Sequence, residues 1–214
     1  MSKVIIFGLE DFAELAHYYL TNDSEHDVVA FTVSKEYLPE EKTFKGLPIV
    51  NFDNIETQFS TEEYVMFAPL SPAKMNQIRE KIYNEAKRKG YKLISYISSK
   101  ASIFNTEVGD NCFILEDNTI QPFVKIGNNV VLWSGNHIGH HSVIKDHVTF
   151  TSHVVLSGHC IVESYSVLGV NATIKDGIKI SEGTFVGMAA AITKDTETWQ
   201  IYVGNPARAI KSSI

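Results

Sequence analysis

Two different periods divide this chain. In the first part apolar positions alternate between strand and helix spacing: "KVIIFG" reads as a strand, after which Phe12, Leu15, Ala16, Tyr19 and Leu20 recur at helical intervals. "DVVAFTV" and "YVMFAPL" read as the second and third strands. "AKMNQIREKIYNEAKRKG" then reads as a helix, with Met75, Ile78, Ile82 and Ala86 on one stripe, basic residues in its last turn and Gly90 closing it. "YKLISYI" is a further strand, so residues 1–97 are expected to form a small parallel α/β, Rossmann-like unit.

Beyond that point the period is six. Val108, Ile114, Ile120, Ile126, Leu132, Ile138, Ile144, Phe150, Leu156, Val162, Leu168, Ile174, Ile180, Val186 and Ile192 stand in unbroken register. Two places earlier many hexads carry a small residue, among them Thr106, Cys112, Ser142, Cys160, Ser166, Ala172 and Ala190. Glycine follows the apolar position at 109, 127, 139, 169 and 187. A repeat of this kind predicts a left-handed parallel β-helix over 98–197, in which each hexad gives one short strand and a corner and three hexads close a triangular coil. Residues 198–214 are read as a C-terminal tail.

Composition narrows the field of functions. With 214 residues, 44% of them hydrophobic, the chain can bury one core or two modest ones. A formal net charge of −6 argues against a nucleic-acid partner, since phosphate-backbone binders concentrate Lys and Arg. Glu10 and Asp11 interrupt the apolar start, and no segment reaches the length of a membrane span, so a cytoplasmic protein without membrane insertion is expected. Cys112 and Cys160 lack CxxC context and are read as reduced, buried thiols.

Candidate chemistry concentrates in "WSGNHIGHHS", residues 133–142. His141, His147, His153 and His159 all lie three places after an apolar position, so successive members fall on successive sides of the prism and cannot share one metal within a chain. His141 and His159 share a side, one coil apart, whereas His137 and His140 sit at other phases and are expected to point elsewhere. Asn118 and Asn136 share the inward phase and predict an internal asparagine ladder. His147 and His153 read as exposed or interface-packing residues.

An α/β unit joined to such a β-helix, with "IGHHSVIKDHV" in mid-helix and "YVGNPAR" near the end, resembles the bacterial nucleotide-sugar acetyltransferases, the bacillosamine and perosamine N-acetyltransferases and sialic acid O-acetyltransferases among them. The resemblance implies transfer of acetyl from acetyl-CoA to the amine of a nucleotide-linked amino sugar, a 4-amino-4,6-dideoxy sugar, for surface glycan biosynthesis. In that family a histidine followed by an acidic residue is the general base, which implies His140 as base here, with His141 in place of the carboxylate. Imidazole suits the task because its pKa lies near working pH. The resemblance further implies an acetyl-CoA groove beside Thr149, Val170, Met188 and Pro206, a homotrimer with the groove between two prisms, and no metal.

"FGLEDFAELA" keeps only Gly8 of a G-x-G-x-x-G turn, and the second strand ends in Ser34 and Lys35 with no acidic residue, so NAD is not expected. By the same resemblance the sugar nucleotide lies across Gly8, Glu10 and Asp11, the strand end at Ser34 and the loop at Pro69. The acidic pair suits a sugar ammonium or hydroxyls; the other reading is helix N-terminal carboxylates opposing the dipole. O-acetylation of a sugar hydroxyl, a zinc hydratase of the γ-class carbonic anhydrase kind completed by neighbouring subunits, and a non-catalytic scaffold are the competing functions.

Overall fold

A computed structural model describes residues 1–214 as two units sharing a continuous apolar seam. In the first, β1 (Lys3–Phe7), β2 (Asp27–Val33), β3 (Thr43–Phe44), β4 (Leu47–Asn51) and β5 (Tyr64–Phe67) form a sheet in the order β3-β4-β2-β1-β5. All neighbours are parallel except the β3-β4 hairpin. Helix α1 (Asp11–Asn22) joins β1 to β2, and α2 (Gln77–Arg88) follows β5. The hairpin was not legible in the apolar pattern because Lys45 and Gly46 build its turn at positive φ while β4 carries Pro48 and is only half buried.

The second unit is the predicted β-helix. Its first face stacks Ser102–Ile103, Thr119–Ile120, His137–Ile138, Val155–Leu156 and Thr173–Ile174 up to Ala191–Ile192. Its second face runs from Glu107–Val108 through Lys125–Ile126, Val143–Ile144 and Ile161–Val162 to Lys179–Ile180. The third runs from Tyr96–Ile97 through Phe113–Ile114, Val131–Leu132, Thr149–Phe150 and Val167–Leu168 to Phe185–Val186. Every pairing steps by one coil, as in Ile120↔Ile138 and Ile126↔Ile144, so the six-residue apolar series becomes three inward columns meeting in one core.

The corners explain the rest of the repeat. Every sixth residue from Asn105 to Ala189 has a positive φ, including 53° at Asn111, 59° at His141 and 57° at His159. Asn, Asp, His and Gly adopt this conformation with least strain, which accounts for their phase three places after the apolar residue. Where glycine follows the apolar position, coils approach so closely that a Cβ on Gly139 would lie 2.5 Å from the Gly158 nitrogen.

Three boundaries differ from the sequence reading. The strand expected over 91–97 divides: Leu93 makes a single bridge to Met66 in the first sheet, while Tyr96–Ile97 already pairs with Phe113–Ile114 in the β-helix. The expected helix from Ala73 begins only at Gln77, because Lys74, Met75 and Asn76 all take left-handed backbone. Its buried side carries Arg79, Ile82, Tyr83 and Ala86, and Ile78 is exposed. The tail is structured: Gln200–Gly204 extends the third face in parallel and Ala207–Ser212 returns beside it. No helix is long and apolar enough to cross a membrane.

The α/β unit covers the third face. Phe12 packs edge-on against Trp133, and the Tyr19 hydroxyl donates to Glu116 at 2.9 Å. From α2, Tyr83 donates to Asp110, and the fully buried Arg79 guanidinium reaches Leu70 O, Asn129 O, Val148 O and Thr149 Oγ1 at 3.0–3.2 Å. With no carboxylate partner, burial pushes the Arg79 pKa down to about 9, which leaves it charged at neutral pH. The edge between the first and second faces lies opposite this covered side.

Candidate active site

That free edge carries the histidines. Residues 139–142 turn the chain from His137–Ile138 to Val143–Ile144, and His140 and His141 protrude there into solvent. One coil along, Gly158 and His159 occupy the matching corner; one coil back stand Pro122 and Phe123. The His140 N–H donates to Gln121 Oε1 at 2.9 Å, and its carbonyl accepts from the His159 N–H at 2.9 Å. Phe123, His141 and His159 form a column of rings, with centroids 4.6 Å apart for the first pair and 4.9 Å for the second. His140 stands edge-on to both histidines, its Nδ1 3.1 Å from His141 Nδ1.

The His140 ring leans over the next coil. A Cβ on Gly158 would lie 2.8 Å from His140 Cε1, 3.0 Å from its Nε2 and 3.1 Å from Asp176 Oδ1. The imidazole therefore occupies the space that glycine leaves open. The Gly158 N–H, on the same corner, donates to no acceptor in the chain.

Sequence spacing sent His140 and His141 in different directions; the structure corrects this. The left-handed turn at His141 brings the two imidazoles together, and the donor atoms of His140, His141 and His159 all lie within 4.8 Å of one another. His147 and His153 stay apart at the other two corners. His147 is buried in the seam, where it accepts from Asn129 Nδ2 at 2.9 Å, and His153 is exposed. Asn118 and Asn136 are buried and stacked as expected, but they bond backbone: Asn118 reaches Trp133 O at 2.9 Å and Asn136 accepts from Val154 N at 2.8 Å.

The remaining expected site residues divide into three groups. Thr149 has no exposed surface: its hydroxyl donates to Asn76 Oδ1 at 2.7 Å and accepts from Arg79 at 3.1 Å. It belongs to the seam between the units, so its hydroxyl is not available to a ligand in a surface groove. Val170, Met188 and Pro206 are exposed, Met188 to 78%. Gly8, Glu10, Asp11, Ser34 and Pro69 gather where β1, β2 and β5 end side by side, the edge of a parallel sheet at which ligands bind. Gly8, at φ 119°, hydrogen-bonds Thr32 O; Glu10 precedes α1 and Asp11 begins it; Pro69 is buried.

Sequence reasoning passed over His159, Gln121, Gly158 and Asp176 as site residues. The 18-residue spacing that put His159 on the same side as His141 also puts Gly158 beside His140, whereas nothing local marks Gln121. Neither cysteine reaches the surface, and burial pushes the Cys112 thiol up to about 12.

The bacterial transferase hexapeptide model (six repeats) matches residues 105–140 and 123–158. Acyl-(acyl-carrier-protein)–UDP-N-acetylglucosamine O-acyltransferase of Pseudomonas aeruginosa is 31% identical over 109 residues, 48% of this chain and 42% of its own. The chain thus spans less than half the length of the curated relatives it matches. Two solved structures share the whole architecture. The acetyltransferase domain of PglB from Neisseria gonorrhoeae superposes with a TM-score of 0.83 at 18% identity, covering 98% of this chain and 100% of that domain. PerB from Caulobacter crescentus, in complex with CoA and GDP-perosamine, gives 0.85 at 19% identity, covering 99% and 98%. Both units of this chain, in this order, have the fold of those proteins.

Proposed function

We propose that the protein is an acetyltransferase that moves acetyl from acetyl-CoA to the amine of a nucleotide-linked amino sugar, with His140 as general base. The observation that carries this reading is the placement of His140: an exposed imidazole over a glycine at a β-helix corner, on a chain whose two units match PglB and PerB from end to end.

The chemistry follows from the side chains. We assign the proton of the 3.1 Å contact between His140 Nδ1 and His141 Nδ1 to His140, the tautomer that leaves its lone pair on Nε2 beside Gly158. His141 thereby does part of what the family's carboxylate does. As the sugar nitrogen attacks the thioester carbonyl, its proton passes to His140 Nε2 and the carbonyl becomes an oxyanion. The oxyanion donor assigned here is the Gly158 N–H, which has no acceptor within the chain. The C–S bond then breaks, CoA thiolate leaves, and the proton on His140 is returned to it. No acyl-enzyme is needed, which agrees with both thiols being buried.

The nucleotide sugar is assigned to the edge at Gly8, Glu10, Asp11 and Ser34. Within one chain this edge belongs to the unit covering the third face, while His140 stands on the opposite edge of the prism. A complete site therefore draws on more than one copy, and a trimer packing prism against prism, with Val170 and Met188 along the groove, supplies it.

A hydroxyl acceptor is the second reading, because the curated relatives are O-acyltransferases. Acetyl-CoA offered with UDP-, dTDP- and GDP-linked amino sugars and their hydroxyl counterparts separates the two. An amide product supports the reading proposed; an ester formed only with the hydroxyl compounds replaces it with the second.

A further inference from the structure

The cluster at the free edge has a property that proton transfer does not use. His140, His141 and His159 come from one chain and lie on adjacent coils whose corners are fixed by backbone hydrogen bonds, His159 N–H to His140 O at 2.9 Å and His141 N–H to Pro122 O at 3.3 Å. None of the three imidazoles forms an ion pair, and all are exposed. Their donor atoms lie within 4.8 Å of one another, and His140 Nδ1 is 3.1 Å from His141 Nδ1. A tetrahedral ion held at about 2.0–2.1 Å by imidazole nitrogens needs them roughly 3.3 Å apart, so His140 and His141 are already spaced for one ion, and a His159 nitrogen lies within 4.8 Å of both. Asp176, near His140 across Gly158, supplies a carboxylate of the kind that supports ligating imidazoles.

We propose that His140, His141 and His159 bind one divalent transition-metal ion of borderline softness, of the Zn2+ or Ni2+ class, with the fourth position open to water. Three neutral imidazoles without thiolate favour such ions over Mg2+ and Ca2+. The site differs from a hydratase centre shared between subunits in that a single chain supplies all three ligands. Its consequence for catalysis, though not the binding itself, rests on the acetyl-transfer reading. An ion on His140 Nδ1 leaves the proton on Nε2, so the base has no lone pair to offer and the metal-loaded protein does not transfer acetyl.

The test is titration of the full-length protein with Co2+, followed by its visible absorption, and with Zn2+ by calorimetry, in the absence of acetyl-CoA. Wild type is compared with His159→Asn and His153→Asn, both of which keep a residue at ease with the left-handed corner. One ion per chain is expected, with the bands of four-coordinate Co2+. Affinity should fall by at least about tenfold in His159→Asn and stay unchanged in His153→Asn. Absence of saturable binding, or binding equally strong in His159→Asn, overturns the proposal. Neither result depends on whether the protein turns over a sugar.

Discussion

His140 sits where a side chain at residue 158 would otherwise be. Gly158→Ala places a methyl group about 3 Å from the ends of two exposed side chains, not against backbone, so the fold has room to adjust while the imidazole must move. The expected outcome is a thermal midpoint close to wild type with kcat for acetyl transfer reduced by roughly 10²-fold, the order that follows from displacing a catalytic group by about an ångström. A midpoint and a kcat both unchanged would remove Gly158 from the site. At this scale the sequence was legible up to a point. The doublet His140 and His141 stood out, but the phase shared by His141, His147, His153 and His159 proved to be a backbone property, since every corner of the β-helix takes positive φ. Phase alone therefore did not separate the corner proposed as catalytic from the others. Which histidines meet depends on ring orientation and on the neighbouring coil, which spacing does not encode.

Among the elements, the β-helix was readable almost residue by residue because one short rule repeats and its pairings between Glu107 and Ile192 are all eighteen residues apart. The glycine that follows the apolar residue enforces that rule. At Gly139 a Cβ would meet the Gly158 nitrogen and the Ser157 carbonyl carbon, both at 2.5 Å and both main chain. Gly139→Ala is expected to lower the stability measured by denaturant unfolding by about 1–3 kcal/mol or more, as overpacking does. A cost below a few tenths would show that the coils can separate there. Helix α2 was less legible. Its stripe was drawn through Ile78, yet the structure buries Arg79, because the β-helix offers carbonyls and the Thr149 hydroxyl just where the guanidinium arrives. No local pattern announces a buried arginine whose partners, Leu70 apart, lie fifty to seventy residues away. Thr149→Val removes an acceptor that both guanidinium amines use, and is expected to cost about 1.5–3 kcal/mol in the same measurement. Loss of acetyl-CoA affinity without loss of stability would instead return Thr149 to the cofactor groove.

At the scale of the whole molecule, two units are held as one body along the third face, and a buried histidine makes that union sensitive to pH. His147 lies between Tyr83 and Tyr165, with Glu80, Asp146 and Arg79 as its charged neighbours. Burial holds its pKa below the ordinary value, outweighing the pull of Glu80 and Asp146. The unfolded chain therefore takes up a proton that the folded chain resists. Its contribution to stability is present above the ordinary histidine pKa of about 6.5 and is lost as pH falls below it. The unfolding midpoint is expected to decline on acidification through that range and to decline less in His147→Asn. His17 and His26, also lowered by burial, leave a residual slope. An identical slope in the variant would contradict this assignment. The seam was not foreseen because it joins residues far apart in sequence by shape and hydrogen bonding, whereas each unit was foreseen from its own period.

The same geometry leaves His140 on the edge away from the covered face, which is why the account makes it the working group of the molecule. The measurement that addresses this most directly is release of free CoA thiol from acetyl-CoA with the panel of nucleotide-linked amino sugars, comparing wild type with His140→Ala and confirming that both fold alike. The account predicts turnover on at least one amine acceptor and a fall of roughly 10²–10⁴-fold in the variant, the range that a general base contributes. Undiminished turnover in His140→Ala, or none by wild type with any amine or hydroxyl acceptor, would contradict it.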